Sequence, residues 1–192
     1  MKRLLLLIIA LGTVFPTCYI LWPLPESPTK QTAQAPSRIN SLRITDRYGN
    51  LLREVLSSKQ TSSQPIALSD VPGNLVQATI AAEDKNFYAH FGIDFSAILR
   101  ALWQNLKAMK IVSGASTISQ QTARLLLDLG HDQNPFTKLW IMLYAVRLEA
   151  HLSKDEILTK YLNHAPYGNQ TYGLAAASAC YFSKPPSSLT LA

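Results

Sequence analysis

The sequence predicts a mainly α-helical domain with a small N-terminal β-hairpin and one N-terminal transmembrane helix. Residues 4 to 22 form an apolar run with no charge, a stretch near residues 41 to 55 alternates about a turn, and apolar side chains recur at three- and four-residue spacing over much of the remainder. With 192 residues, 47% hydrophobic and 16% charged, the chain has room for one domain plus an anchor. That balance, with 8 glycines and 11 prolines, excludes disordered and collagen-like classes.

The first element is LLLLIIALGTVFPTCYILW, residues 4 to 22. As a helix it would span about 28 Å, close to the hydrocarbon core of a bilayer. Lys2 and Arg3 precede it and keep the short end cytoplasmic. Trp22-Pro23-Leu24-Pro25 follows it where a cleaved signal would show small residues, so residues 1–22 read as an uncleaved signal anchor. Phe15, Pro16 and Thr17 are also the wrong residues to precede a lipidated Cys18. The two cysteines, Cys18 and Cys180, exclude a disulfide framework and a four-cysteine zinc site. Residues 23–41 hold four prolines among Ser, Thr and Gln and read as an extended linker. A single domain over 42–192 is expected to follow.

That domain opens with strands flanking a turn at Asp46 to Asn50. Asp70 reads as the N-cap of a helix ending near Glu83, and Asp94 as the cap of a helix over 94–110. Further helices are expected over 116–128, 137–152, 154–163 and 172–182. The stretch 102–112 sets Leu102, Trp103, Leu106 and Ile111 among Lys107 and Lys110. It reads either as a core helix with a basic wet face or as a segment dipping into a membrane interface.

Lys and Arg number 18 against 12 Asp and Glu, a net charge of +6 and a pI near 9.4. This favours anionic partners, whether membrane surface, phosphate or nucleic acid, without choosing among them. Against that scarcity of acids, Glu83-Asp84 stands out at a predicted helix C-terminus, where two carboxylates oppose the dipole. An acidic surface pair and a catalytic one both fit. Gly114 to Gln121 sets hydroxyls and amides, Ser116 and Thr117 among them, at a helix start, where free N–H groups suit phosphate. Thr117, Gln121 and Arg124 share a face by helical spacing. A well-capped amphipathic helix is the equal alternative, and the GK[ST] ending of a P-loop is missing. Ser27-Pro-Thr-Lys30 lies in the linker, and neither S-D-N nor K-T-G follows it. His90 and Asp94, four residues apart, lack a third metal ligand nearby. His131, His151 and His164 read as surface or capping residues.

Four ordered blocks go further: AAEDKNFYAHFGID (81–94), GASTISQQTAR (114–124), KDEILTKYLN (154–163) and Y-G-x4-G (167–173). Together they resemble the peptidoglycan glycosyltransferase domain of class A penicillin-binding proteins, glycosyltransferase family 51. ARLL (123–126), LEAHLSK (148–154) and NHAPYG (163–168) are most similar to the 1C type within that family. The resemblance implies a lysozyme-like fold with a membrane-facing jaw, and polymerisation of lipid II outside the bacterial inner membrane. In that reading Glu83 is the general base. It takes the proton of the acceptor 4-hydroxyl, whose oxygen attacks the anomeric carbon of the lipid-linked donor with inversion and releases undecaprenyl pyrophosphate. Asp84, Phe87 and His90 match positions that shape the site, Ser116, Thr117, Gln121 and Arg124 fall in the donor-site block, and Lys138 matches a pyrophosphate-binding lysine. Implied partners are lipid II, the growing lipid-linked glycan, the membrane and other cell-wall synthesis proteins, with no nucleic acid. No fixed cofactor or protein metal cage is implied, although magnesium or manganese assists the pyrophosphate in that family.

The chain departs from the family pattern in places. Thr137 and Ile141 stand where an arginine and a glutamate are expected, Arg124 replaces a lysine, and Ala115 replaces a glycine. Glu149 matches a later glutamate and reads as structural. The sequence stops at Ser188 to Ala192, where an acidic, alanine-rich fifth motif and then a transpeptidase domain are expected, so the domain reads as C-terminally incomplete. Two alternatives stand beside the transferase: a lysozyme-like muramidase or lytic transglycosylase, and a non-catalytic remnant that binds lipid-linked precursor.

Overall fold

The computed structural model describes residues 16–24, 41–49, 51–56, 62–130 and 134–190. In chain order the elements are α1 (described over 16–21), β1 (Leu42–Thr45), β2 (Leu51–Val55), β3 (Ser62–Ser63), α2 (Gly73–Glu83), α3 (Phe95–Ala108), α4 (Ile118–Leu126), α5 (Pro135–His151), α6 (Lys154–His164), β4 (Thr171–Tyr172) and α7 (Leu174–Phe182). They fall into two compact units. The first draws on residues 1–25 and 86–154, the second on 26–85 and 155–192. Most of the expected anchor, residues 1–15, and most of the linker lie outside the described residues. Among those described, no helix is long and apolar enough to cross a membrane.

In the first unit, helix starts follow local chemistry. The Asp94 carboxylate accepts from Ala97 N at 2.9 Å and opens α3, which Met109 closes in the left-handed region at φ 51°. Helix α4 begins at Ile118, later than the 116 expected, because Thr117 is its cap and accepts from Gln120 N. Helix α5 begins at Pro135, two residues before 137, because Asn134 accepts from Phe136 N and proline suits the first turn.

Helices α4 and α5 pack together and bury Ile118, Ala123, Ile141, Ala145 and Leu148. Each large aliphatic side chain so buried contributes on the order of 2 kcal/mol. Gly92, at φ 81°, lies against α5 so closely that a Cβ there would sit 3.1 Å from the Ala145 carbonyl carbon. Helix α3 is arranged differently. It buries Ala97 and Ala101 and leaves Leu102, Trp103 and Leu106 64%, 67% and 65% exposed. The core-helix reading of 102–112 is therefore corrected: Leu102, Trp103 and Leu106 point away from the packed face, which Ala97 and Ala101 fill earlier in the helix. The described end of the apolar run also belongs to this unit. Buried Arg147 donates to the carbonyls of Trp22 (3.2 Å) and Pro23 (2.6 Å) and lies 4.5 Å from the Tyr19 ring centroid.

In the second unit, β1 pairs antiparallel with β2, from Leu42 opposite Val55 to Thr45 opposite Leu51, with an irregularity after Ile44. Asp46 holds the turn, accepting from Tyr48 N through its side chain and from Gly49 N through its carbonyl. Strand β3 runs parallel to β4, Ser62 opposite Thr171. Asp70 is not the cap of α2. It ends a single 3-10 turn, Leu68–Asp70, and the helix starts after Pro72. The cause is local, since proline disfavours helical geometry in the preceding Val71. Helix α6 buries Ile157, Leu158 and Leu162, and its Asn163 amide bonds both the N–H and the carbonyl of Ile66 (2.7 and 2.9 Å). Gly173, at φ 82°, is required, because a Cβ there would lie 2.7 Å from the Asn163 oxygen. Helix α7 starts at Leu174 rather than 172, since Tyr172 is taken up in β4.

Candidate functional site

The candidate residues divide between the units. In the second, Glu83 is the last residue of α2 and is exposed, whereas its neighbour Asp84, the C-cap, is 7% exposed. The sequence presented them as a pair, but their surroundings separate them. An exposed carboxylate can take a proton from a molecule in solution; a buried one is committed to the protein. Two tyrosines of this unit register the Glu83 charge. Burial pushes the Tyr161 phenol above its ordinary range, and the Glu83 carboxylate adds to it. Tyr167 is raised for the same two reasons, burial first. The Tyr167 carbonyl accepts from the Tyr181 hydroxyl at 2.8 Å.

In the first unit lie Phe87, His90, Ser116, Thr117, Gln121, Arg124 and Lys138. Phe87, in a 3-10 turn over Phe87–Ala89, is fully buried, with its ring edge-on to Tyr88 and His90. It shapes its surroundings without facing solvent. Thr117 is 1% exposed, and its hydroxyl donates to the Gly92 carbonyl at 2.8 Å while capping α4. Its proton and one lone pair are thus used within the protein. Gln121 and Arg124 are half-buried along α4, and Ser116 and Lys138 are exposed. Ile141, at the position where a glutamate was expected, is 3% exposed among the α4 and α5 core residues.

Sequence reasoning missed the residues that organise this unit. Lys154 donates to the His90 carbonyl at 2.6 Å and to Glu149 Oε1 at 2.7 Å, and its ammonium lies 4.6 Å from the Phe87 ring centroid. Ser119 Oγ donates to the same Glu149 oxygen, and Gln120 Nε2 to the Gly92 carbonyl at 3.3 Å. The structural reading of Glu149 agrees with this burial and pairing. For the bond from Lys154 to His90 no local signal existed, because the two are 64 residues apart. Asp94 is equally committed. Hydrogen bonds from Ser96, Ala97 and Asn86 hold its carboxyl at about 2, against desolvation, with His90 aiding. The His90–Asp94 spacing therefore does not mark an open ligand pair. Among the described residues no group of three His, Cys, Asp or Glu side chains could hold a metal ion. His151 and His164, expected as surface or capping residues, each bond the carbonyl four residues back, at Arg147 and Lys160. His131 lies outside the described residues.

Comparison with known proteins identifies the context of these residues. The family model described as Transglycosylase matches residues 48–192. The chain is 37% identical over 155 residues to penicillin-binding protein 4 of Bacillus subtilis, covering 81% of this chain and 24% of that protein. It is 46% identical over 125 residues to penicillin-binding protein 2D of the same organism, covering 65% and 18%. To penicillin-binding protein 1C of Escherichia coli it is 36% identical over 173 residues, covering 88% and 21%. Identity therefore does not set the 1C type apart. The chain spans about a quarter or less of the length of these relatives.

Proposed function

The chain belongs to the transglycosylase family, and we propose that it is a peptidoglycan glycosyltransferase domain polymerising lipid II, with Glu83 as general base. One observation carries the assignment of the base: of the two adjacent acids, Glu83 is exposed at the end of α2 and Asp84 is buried. In the proposed step the Glu83 carboxylate accepts the proton of the acceptor 4-hydroxyl as that oxygen attacks the donor anomeric carbon. The bond to the pyrophosphate oxygen breaks, the configuration inverts and undecaprenyl pyrophosphate leaves. Pyrophosphate departs as a stable anion, so the reaction needs positive charge and oriented donors more than a second carboxyl acid. Arg124 and the exposed Lys138 are suited to supply that charge. Magnesium or manganese, where it takes part, would supply further positive charge to the departing pyrophosphate.

The lytic reading is weaker on the same chemistry. Glycoside hydrolysis by a muramidase canonically uses two cooperating carboxyls, and the carboxyl beside Glu83, that of Asp84, is buried. The remnant reading draws on Ile141, which puts a buried hydrocarbon where the family carries a glutamate. The proposal extends to location. Residues 4–22 act as a single-pass anchor in the bacterial inner membrane, with the domain on the periplasmic face. The exposed apolar side chains of α3 rest in the outer leaflet surface, and other cell-wall synthesis proteins are partners.

The test is incubation of the detergent-purified chain with labelled lipid II and magnesium, scored as polymer on a gel. Polymer from the wild type and none from Glu83→Gln supports the reading. Polymer from both at equal rate removes Glu83 as base, and lipid II binding without polymer from either favours the remnant.

A further inference from the structure

We propose that Lys154 is a positioning residue, which holds the Phe87–Gly92 segment in a single conformation with Glu149 as its aiming counter-charge. An ammonium group has three tetrahedral N–H donors and no acceptor. Here two of them reach the His90 carbonyl at 2.6 Å and Glu149 Oε1 at 2.7 Å, and the Phe87 ring stands over the group at 4.6 Å. The Lys154 and Glu149 side chains are 20% and 3% exposed, so the pair is largely withdrawn from water. Glu149 is in turn fixed by Ser119 Oγ of α4. The next carbonyl held, that of Gly92, accepts from Thr117 and Gln120. The segment is therefore tied at two backbone points from separate elements, and Lys154 supplies the tie nearer Phe87 and His90.

A buried ammonium must find acceptors, and here one of them is the backbone of a separate segment, so satisfying the lysine also fixes that segment. Burying an ion pair gains little over a well-packed apolar pair, whereas the His90 bond fixes geometry that apolar packing does not. The inference rests on the glycosyltransferase reading only for its catalytic consequence; the hold on the segment is a statement about the chain itself.

The experiment uses the full chain carrying Glu149→Leu with Lys154→Met, which removes both charges together and leaves no lone buried ion. Amide hydrogen exchange is measured over residues 87–92 and over α5, and the rate of polymerisation is measured with lipid II. The expected result is at least tenfold faster exchange in 87–92 with α5 protection retained, and at least a tenfold lower kcat. Unchanged exchange in 87–92 overturns the inference whatever the activity, and faster exchange with wild-type kcat overturns the catalytic role. If the wild type itself is inert toward lipid II while the double variant still loosens 87–92, the positioning stands and the glycosyltransferase reading fails. Should the double variant not fold, Glu149→Gln with Lys154→Gln takes its place under the same criteria.

Discussion

A polar cluster of the first unit and one carboxylate of the second are used in opposite ways. In the first, Thr117, Ser119, Gln120 and Glu149 are buried, and their hydrogen bonds run to backbone or to one another. In the second, Glu83 stands exposed at a helix end, and its charge reaches the phenols of Tyr161 and Tyr167. A buried polar group must spend its bonding capacity inside the protein, because leaving it unmade costs about 1–3 kcal/mol. Such groups build geometry. An exposed carboxylate can be reached by a visiting molecule, and so it is suited to move a proton.

The contrast is broken most severely at its two poles. Glu83→Gln should lower polymerisation by roughly 100- to 10,000-fold, the usual worth of a general base, with the melting temperature nearly unchanged. Gel assay and calorimetry on one preparation check both halves. Glu149→Ala should do the reverse, costing about 3–5 kcal/mol of stability by leaving Lys154 and Ser119 without their shared acceptor. Denaturant melts measure that loss, and a change below 1 kcal/mol would show the pair to be idle.

Smaller effects sharpen the same comparison. Gly173→Ala should cost about 3 kcal/mol, since the new Cβ meets the Asn163 oxygen and the residue must keep φ at 82°. Asp94 gives a pH signature. Its folded carboxyl titrates at about 2, below the 3.8 of the free group, so its contribution is present above pH 4 and lost as pH falls toward 2. Asp94→Asn keeps a capping oxygen but removes that titration, and its stability should fall less steeply between pH 4 and 2. Lys138→Ala, at an exposed position, should change stability by less than about 0.5 kcal/mol while weakening use of a pyrophosphate-bearing donor. A kcat/KM series with lipid II reads that difference.

Much of this arrangement was legible in the residues. Asp94 declared its helix because an N-cap acts within three residues of itself, whereas Thr117 was placed inside the helix that it caps. The turn at Asp46 to Gly49 is equally local. Asp70 misled for a reason also present in the sequence, since Pro72 two residues later forbids an earlier start. The exposed face of α3 was less legible, because periodicity locates an apolar stripe without saying what the stripe packs against.

The sequence by itself determined the helical class, the Asp94 cap, the four blocks that mark the family and the candidate residues Glu83, Arg124 and Lys138. Those depend on neighbours within a few positions, or on patterns read in order along the chain. Only the tertiary structure separated Glu83 from Asp84 by burial, put Ile141 in the core and joined Lys154 to His90. Burial and long-range hydrogen bonds depend on which distant segments share a volume, and spacing along a chain does not encode that.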